Sequence, residues 1–216
     1  MRLIDTHSHL FLEEFSEDFP QVIERARAAG VTHIFMPNID STTIEAMLSA
    51  CSVYKGYCFP MIGLHPTSVN ANYEKELEIV ARELKFSKEY VAIGEIGMDL
   101  YWDKTYLKEQ QIVLDKQVNW ALEYDLPIVI HCRDAFDYIY KVLEPYKKTP
   151  LRGIFHSFTG TAEEATRVLE FSDFFIGING VVTFKKSHLP EILAGIPLEK
   201  IVLETDSPYL TPVPNR

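Results

Sequence analysis

The chain predicts a (β/α)8 TIM barrel, an α/β fold in which a parallel sheet closes on itself inside a ring of helices. Three observations predict it. Short apolar runs alternate with amphipathic stretches from end to end. The alternation repeats through eight units. A length of 216 residues at 47% hydrophobic content supports one core of barrel size. A doubly wound open sheet uses the same alternation and is the structural alternative. No repeat, low-complexity tract or linker interrupts the pattern, so residues 1–216 are expected to form one domain.

The elements follow in order. Leu3–Ser8 reads as the first strand, short and apolar at its start. Asp18–Ala29 reads as a helix with Val22, Ile23, Ala26 and Ala29 on one face and Gly30 as its stop. Val31–Pro37 is the second strand. Thr42 with Glu45 has the spacing of a capping box and opens a helix to about Ser52. Phe59–Leu64 is the third strand, with a helix over Tyr73–Lys85. Tyr90–Glu95 is the fourth, with a long helix over Leu107–Glu123. Pro127–His131 and a helix over Phe136–Glu144 form the fifth unit. Gly153–His156 is the sixth strand, and Thr161 with Glu164 caps the helix behind it. Phe174–Ile178 leads to a short helix near Leu189–Ala194, and Lys200–Glu204 is the eighth strand. A full barrel needs a helix after that strand; the chain runs to Arg216 as loop, so the last helix is expected to be missing from it.

Composition narrows the function. No apolar stretch is long enough to span a bilayer, and the N-terminus lacks a basic, apolar and small-residue leader pattern. Cys51, Cys58 and Cys132 form no C-x-x-C pair and suit reduced thiols, so a cytoplasmic protein with no membrane partner is expected. The net charge of −10 argues against a broad phosphate-gripping surface. A polyanionic substrate would be held locally, through metal ions.

The strand ends carry the chemistry. His7 and His9 share one face of the first strand with Asp5 beneath them, because alternate residues point the same way. Two imidazoles on one side of a strand end suit a divalent metal. His65 follows the third strand, Glu95 ends the fourth, His131 the fifth and His156 the sixth, and Glu204 and Asp206 end the eighth. Active sites of barrels occupy that face and draw residues from several strands. His33 and His188 fall outside the pattern. Mixed imidazole and carboxylate donors suit Zn²⁺, Mn²⁺ or Fe²⁺ better than Ca²⁺. Six candidate ligands exceed the three that one catalytic zinc takes from protein. Two ions about 3.5–4 Å apart, bridged by Glu95, account for the surplus and could clamp a phosphoryl group and activate a water. Asp206 could bind one ion and accept the proton of that water.

The runs Asp5-Thr6-His7-Ser8-His9-Leu10, Gly63-Leu64-His65-Pro66, Ile93-Gly94-Glu95-Ile96-Gly97-Met98-Asp99, His131-Cys132-Arg133-Asp134, His156-Ser157-Phe158-Thr159-Gly160 and Leu203-Glu204-Thr205-Asp206-Ser207-Pro208-Tyr209-Leu210 occur in this order. Together they resemble the TatD family of metal-dependent deoxyribonucleases. The resemblance implies a (β/α)8 barrel, dependence on Mg²⁺, Mn²⁺ or Zn²⁺, and nuclease activity on DNA, acting 3′ to 5′ on single-stranded ends. It implies that His7, His9, Glu95, His131, His156 and Asp206 are metal ligands, that His65 and Glu204 line the site, and that Arg133 meets a phosphate, its planar fork matching two phosphate oxygens. Members of the family typically continue for some tens of residues past the eighth-strand motif.

Lesser signals have two readings each. Met98–Trp102 is either a stacking platform for a base or a plug over the barrel mouth. Ser157–Gly160 either cradles a phosphate or serves simple helix capping. Cys132 faces away from His131 and is expected in the core. Lys185-Lys186 reads as a solvated loop. Two other functions compete. One is a metal-dependent amidohydrolase or lactonase on a small cyclic substrate, weakened because Glu95 rather than a lysine holds the bridging position. The other is a truncated barrel that binds without turnover.

Overall fold

A computed structural model describes Met1–Arg216. Eight parallel strands, β1 (Leu3–Asp5), β2 (Val31–Pro37), β3 (Cys58–Met61), β4 (Ile93–Asp99), β5 (Ile128–Arg133), β6 (Gly153–Phe155), β7 (Phe174–Ile178) and β8 (Ile201–Leu203), alternate with seven α-helices. The helices are α1 (Phe19–Ala28), α2 (Ile44–Val53), α3 (Tyr73–Phe86), α4 (Leu107–Glu123), α5 (Phe136–Leu143), α6 (Ala162–Val168) and α7 (Leu189–Leu193). Strands pair in chain order within β1–β3 and within β4–β8.

Two seams complete the ring. Ile62 pairs with Ile93, and the Gly94 amide donates to Ile62 O at 2.9 Å, joining β3 to β4. On the other side the Thr6 amide donates to Leu203 O at 3.1 Å and the Asp206 amide to His7 O at 2.9 Å, joining β8 to β1. The (β/α)8 barrel predicted from the alternation is the observed fold. Fully buried Ile34, Met36, Ile93, Ile96, Ile130, Phe155 and Ile176 form its core. Enclosing a side chain of this size is worth about 1.5–3 kcal/mol. Residues 204–216 run as loop, with no helix after β8. No helix is long and apolar enough to cross a membrane.

The structure corrects several local expectations. The fourth strand runs from Ile93 to Asp99 rather than ending at Glu95. Every residue of it is buried, so apolar content could not mark its end, and its pairing with β5 shifts register between Ile93 and Ile96. Glu95 therefore sits at an irregularity inside the strand, and His131 lies within β5 opposite Gly97. The third strand is Cys58–Met61, shorter than expected. The Thr42–Glu45 capping box does not form, because the Thr42 hydroxyl donates to Asp40 Oδ1 at 2.5 Å and α2 starts only at Ile44. The Thr161–Glu164 box does form, with both reciprocal hydrogen bonds in place.

Candidate metal centre

The site begins where β1 leaves its ladder. After Asp5 the chain is no longer strand. The Asp5 carboxylate accepts the His7 amide at 3.3 Å, the Thr205 amide at 2.9 Å and the Thr205 hydroxyl at 2.7 Å. This buried group, whose pKa burial raises to about 6, latches the loop after β1 to the loop after β8. The latch brings His7, His9 and Asp206 to one place. Asp206 takes a left-handed backbone (φ 57°), as does Ser157 (φ 47°) beside His156. Such positions cost on the order of 1–3 kcal/mol and persist where surrounding bonds fix them.

Glu95 stands between two groups of imidazoles. Its Oε2 lies 3.0 Å from His7 Nε2 and 3.5 Å from His9 Nε2. Its Oε1 lies 3.0 Å from His131 Nδ1, 3.3 Å from His65 Nε2 and 3.8 Å from His156 Nε2. Asp206 Oδ1 is 3.6–3.7 Å from the Nε2 atoms of His7, His9 and His156. The Nε2 atoms of His7 and His9 are 3.1 Å apart, and the buried Nδ1 atoms of both rings have no hydrogen-bond partner.

These donors fit a divalent ion. A tetrahedral ion with bonds of ~2.1 Å separates its ligands by ~3.4 Å, and the 3.0–3.7 Å spacings bracket that length. The groups His7–His9–Glu95, His7–His156–Asp206 and His65–Glu95–His131 could each hold an ion. The cleft above them encloses about 570 Å³.

A profile of the TatD related DNase family matches residues 4–216. The chain belongs to this family. The metal-dependent hydrolase YabD of Bacillus subtilis (strain 168), described as uncharacterized, is 37% identical over 215 residues, 99% of this chain and 83% of its own length. The 3'-5' ssDNA/RNA exonuclease TatD of Pantoea ananatis (strain LMG 20103) is 32% identical, covering 97% of this chain and 81% of its own length. The crystal structure of the TatD homologue YjjV from Escherichia coli K12 superposes with a TM-score of 0.89 at 31% identity, covering 97% of this chain and 80% of that one. By class, this TatD-family chain is a metal-dependent hydrolase.

Charge in the TatD-type cleft is unevenly distributed. Burial, together with His156 stacked at 3.4 Å, pushes the His7 pKa down to about 4. Burial opposes ionisation of Glu95, yet the surrounding histidines, His7 foremost, hold it well below the usual carboxylate range. Asp206 is lowered in the same way, against its burial, by His9, His156 and His7. His156 is buried and His131 partly so, but neighbouring carboxylates outweigh the loss of solvent and raise both. For His131 these are Asp99 and Glu95; for His156, Glu204, Glu95 and Asp206.

All eight residues singled out at strand ends come together. Glu204 differs from the rest: its side chain is fully enclosed behind His156, with Oε1 3.0 Å from His156 Nδ1 but off hydrogen-bond alignment, and accepting the Ser157 amide at 2.5 Å. It is placed to position His156 rather than to touch a ligand in the cleft. Arg133 is the only lysine or arginine lining the cleft, and no carboxylate pairs with it.

Three residues without a sequence assignment support the site. Asp99 Oδ2 lies 2.9 Å from His131 Nε2. Gln110 and Gln117, buried on α4, fix the backbones of Asp99 and Leu64 with paired amide hydrogen bonds. The four-residue spacing of Glu95 and Asp99 on one strand is the signal that could have found Asp99.

Other expectations resolve simply. Two of the amides in Ser157–Gly160 are already used, Ser157 N by Glu204 and Phe158 N by Gly177 O, and Thr161 next to them caps α6. Cys132 packs against the core and also reaches the cleft wall; burial pushes its thiol up to about 12, away from nucleophilic use. Lys185 and Lys186 are exposed. His33 stacks on Phe59 and His188 faces Glu191 in solvent, both outside the centre.

Proposed function

We propose that residues 1–216 form a single hydrolase domain that cleaves phosphodiester bonds of nucleic acid, releasing nucleotides from single-stranded DNA ends in the 3′-to-5′ direction. The observation that carries this reading is the two-sided environment of Glu95, one oxygen toward His7 and His9 and the other toward His65 and His131. The 3'-5' ssDNA/RNA exonuclease name of the Pantoea relative supports the substrate class. Three free cysteines, two of them buried, are in keeping with a cytoplasmic setting.

In this reading His7, His9, Glu95, His131, His156 and Asp206 would hold two divalent ions (Mg²⁺, Mn²⁺ or Zn²⁺). When bound, such ions polarise phosphoryl oxygens and lower the pKa of water. The rest is done by the chain. Asp206 remains an anion at neutral pH and can accept the proton of the attacking water at its carboxylate. His65, at the open side of Glu95, and Arg133 orient the phosphate. Asp99 and Glu204 hold His131 and His156 in register.

The test is a substrate screen on chelator-stripped protein reloaded with each metal. Single-stranded DNA, RNA, duplex DNA and small lactones or cyclic amides are compared. Release of nucleotides from single strands, abolished by chelator, is expected. Asp206→Ala should lower kcat by about 10²–10⁴-fold, the usual worth of a positioned proton acceptor. Turnover of lactones with DNA untouched, or full nuclease activity in Asp206→Ala, overturns the proposal.

A further inference from the structure

The cleft is poorly equipped to hold a nucleic-acid strand by charge. The chain carries a net charge of −10, and Arg133 is the sole permanent cation lining the cleft. Affinity for a phosphate backbone scales with the number of phosphates neutralised, and one arginine gives little. Beyond the phosphate held at the metal centre, the remaining source of grip is the base. Every base has a π-face, and an aromatic ring beside the cleft can stack on it without regard to sequence.

Such a ring is present. At the end of β4 the stretch that sequence reading left open divides in two. Met98 and Leu100 are buried, whereas Tyr101 is 50% exposed and Trp102 is 77% exposed. Trp102 lines the same cleft as Glu95, His131 and Arg133. Its ring stands edge-to-face with Tyr101 at 4.6 Å. The Arg133 guanidinium lies 3.9 Å over the Tyr101 ring and 5.5 Å from that of Trp102. Stacked on Tyr101 and unpaired with any carboxylate, it keeps its N–H edges free for phosphate oxygens.

This corner is tied to the metal centre. The Asp99 carboxylate turns Oδ2 to His131 and accepts the Tyr101 amide on Oδ1 at 3.1 Å. One buried side chain thus sets a candidate ligand and the aromatic corner together.

We propose that Trp102 stacks on an unpaired base of the bound strand while Arg133, carried on Tyr101, takes the adjoining phosphate. The inference rests on the nuclease reading above and deepens it. A duplex buries its base faces in its own stack and offers none to Trp102, so the same corner selects single strands over duplex.

The experiment uses the full chain. Trp120→Phe leaves Trp102 as the only tryptophan, since the chain has two. Its fluorescence is titrated with short oligothymidylate and with an oligonucleotide of equal length built from abasic sites. Quenching by the first and not by the second is expected. In parallel, Trp102→Ala should raise KM on single-stranded DNA about tenfold, with a much smaller change in kcat, and Trp102→Phe should recover most of the loss. Abasic substrate should erase the difference between wild type and Trp102→Ala. Equal responses to both oligonucleotides, or an unchanged KM in Trp102→Ala, overturn the stacking role and leave the nuclease reading standing. If the wild type turns over no nucleic acid, the nuclease reading falls separately; quenching by oligothymidylate then still supports the contact, and its absence still overturns it.

Discussion

The two halves of the cleft on either side of Glu95 are built from the same residue types by different rules. On the β1–β8 side, His7 and His9 have enclosed Nδ1 atoms with nothing behind them, and burial keeps His7 from charging. On the β3–β6 side each imidazole has a polar group behind it: His131 has Asp99, His156 has Glu204, and His65 has the Thr67 hydroxyl at 2.7 Å. A carboxylate behind an imidazole fixes its tautomer and raises its basicity. One half is a bare donor pair held by the fold, whereas the other is oriented by polar partners, of which the carboxylates beside His131 and His156 also invite protons. Glu95 turns one oxygen to each half, and Asp206 reaches both as well, its Oδ1 lying 3.6–3.7 Å from His7, His9 and His156.

The sharpest way to break this comparison is Glu95→Gln. An amide cannot present two anionic oxygens to two sides. We expect kcat to fall by about 10³-fold, the upper range for losing one electrostatic stabiliser, and bound metal by elemental analysis to drop with it. Activity within tenfold of wild type would show that the halves work independently.

Proton competition separates the halves next. His7, with its pKa near 4, is already neutral at pH 6, so its own ligation should release no proton from pH 6 to 8. His131 and His156 hold protons to higher pH than an ordinary imidazole in the metal-free protein, and an ion must displace them. Affinity on their side should therefore rise with pH, by up to about tenfold per unit for each proton released. Calorimetric titration in buffers of different ionisation enthalpy measures the protons lost. A single pH-independent class of sites contradicts the division.

Removing the backing tests its purpose. Asp99→Asn and Glu204→Gln should each weaken metal affinity or activity by about 10–100-fold, the usual cost of losing such a partner. Ligation by His7 and His9 should persist, so one tightly held ion should remain. Equal loss of both ions would mean that the backing residues serve the fold rather than one half of the centre.

How far the sequence reveals this centre depends on what each residue does. Residues that converge from separate strand ends, such as His7, His65, His156 and Asp206, stand out because imidazoles and acids at the ends of apolar runs have no packing reason to be there. The barrel is legible for the same reason, since the alternation is periodic throughout. What escapes is support delivered from elsewhere. Gln110 and Gln117 look like solvated positions on an amphipathic helix, yet both are buried against strand-end backbone. The end of β4 is hidden because a strand buried at every position carries no alternation to read. The Thr42–Glu45 spacing misleads because Asp40, two residues earlier, takes the Thr42 hydroxyl first.

Gly177 offers the gentlest probe of the backed half, because substituting it removes no polar group from the centre. It lies in β7 beside Val202, and a Cβ built there would meet Glu204 Oε2 at 2.5 Å. The end of a side chain can normally yield, but this carboxylate is fully enclosed. Gly177→Ala would have to turn it, drawing Oε1 away from the Ser157 amide and from His156 Nδ1. We expect a loss of about 1–3 kcal/mol in stability, the usual cost of overpacking, and so a Tm lower by roughly 2–4 °C for each kcal/mol. Metal affinity should fall in the same direction as in Glu204→Gln but by less, because the carboxylate remains present to re-form part of its contact. Thermal denaturation with and without added Mn²⁺ measures both effects. If Gly177→Ala melts like wild type and binds metal equally well, Glu204 has room to move, and its hold on His156 is not what orients that ring.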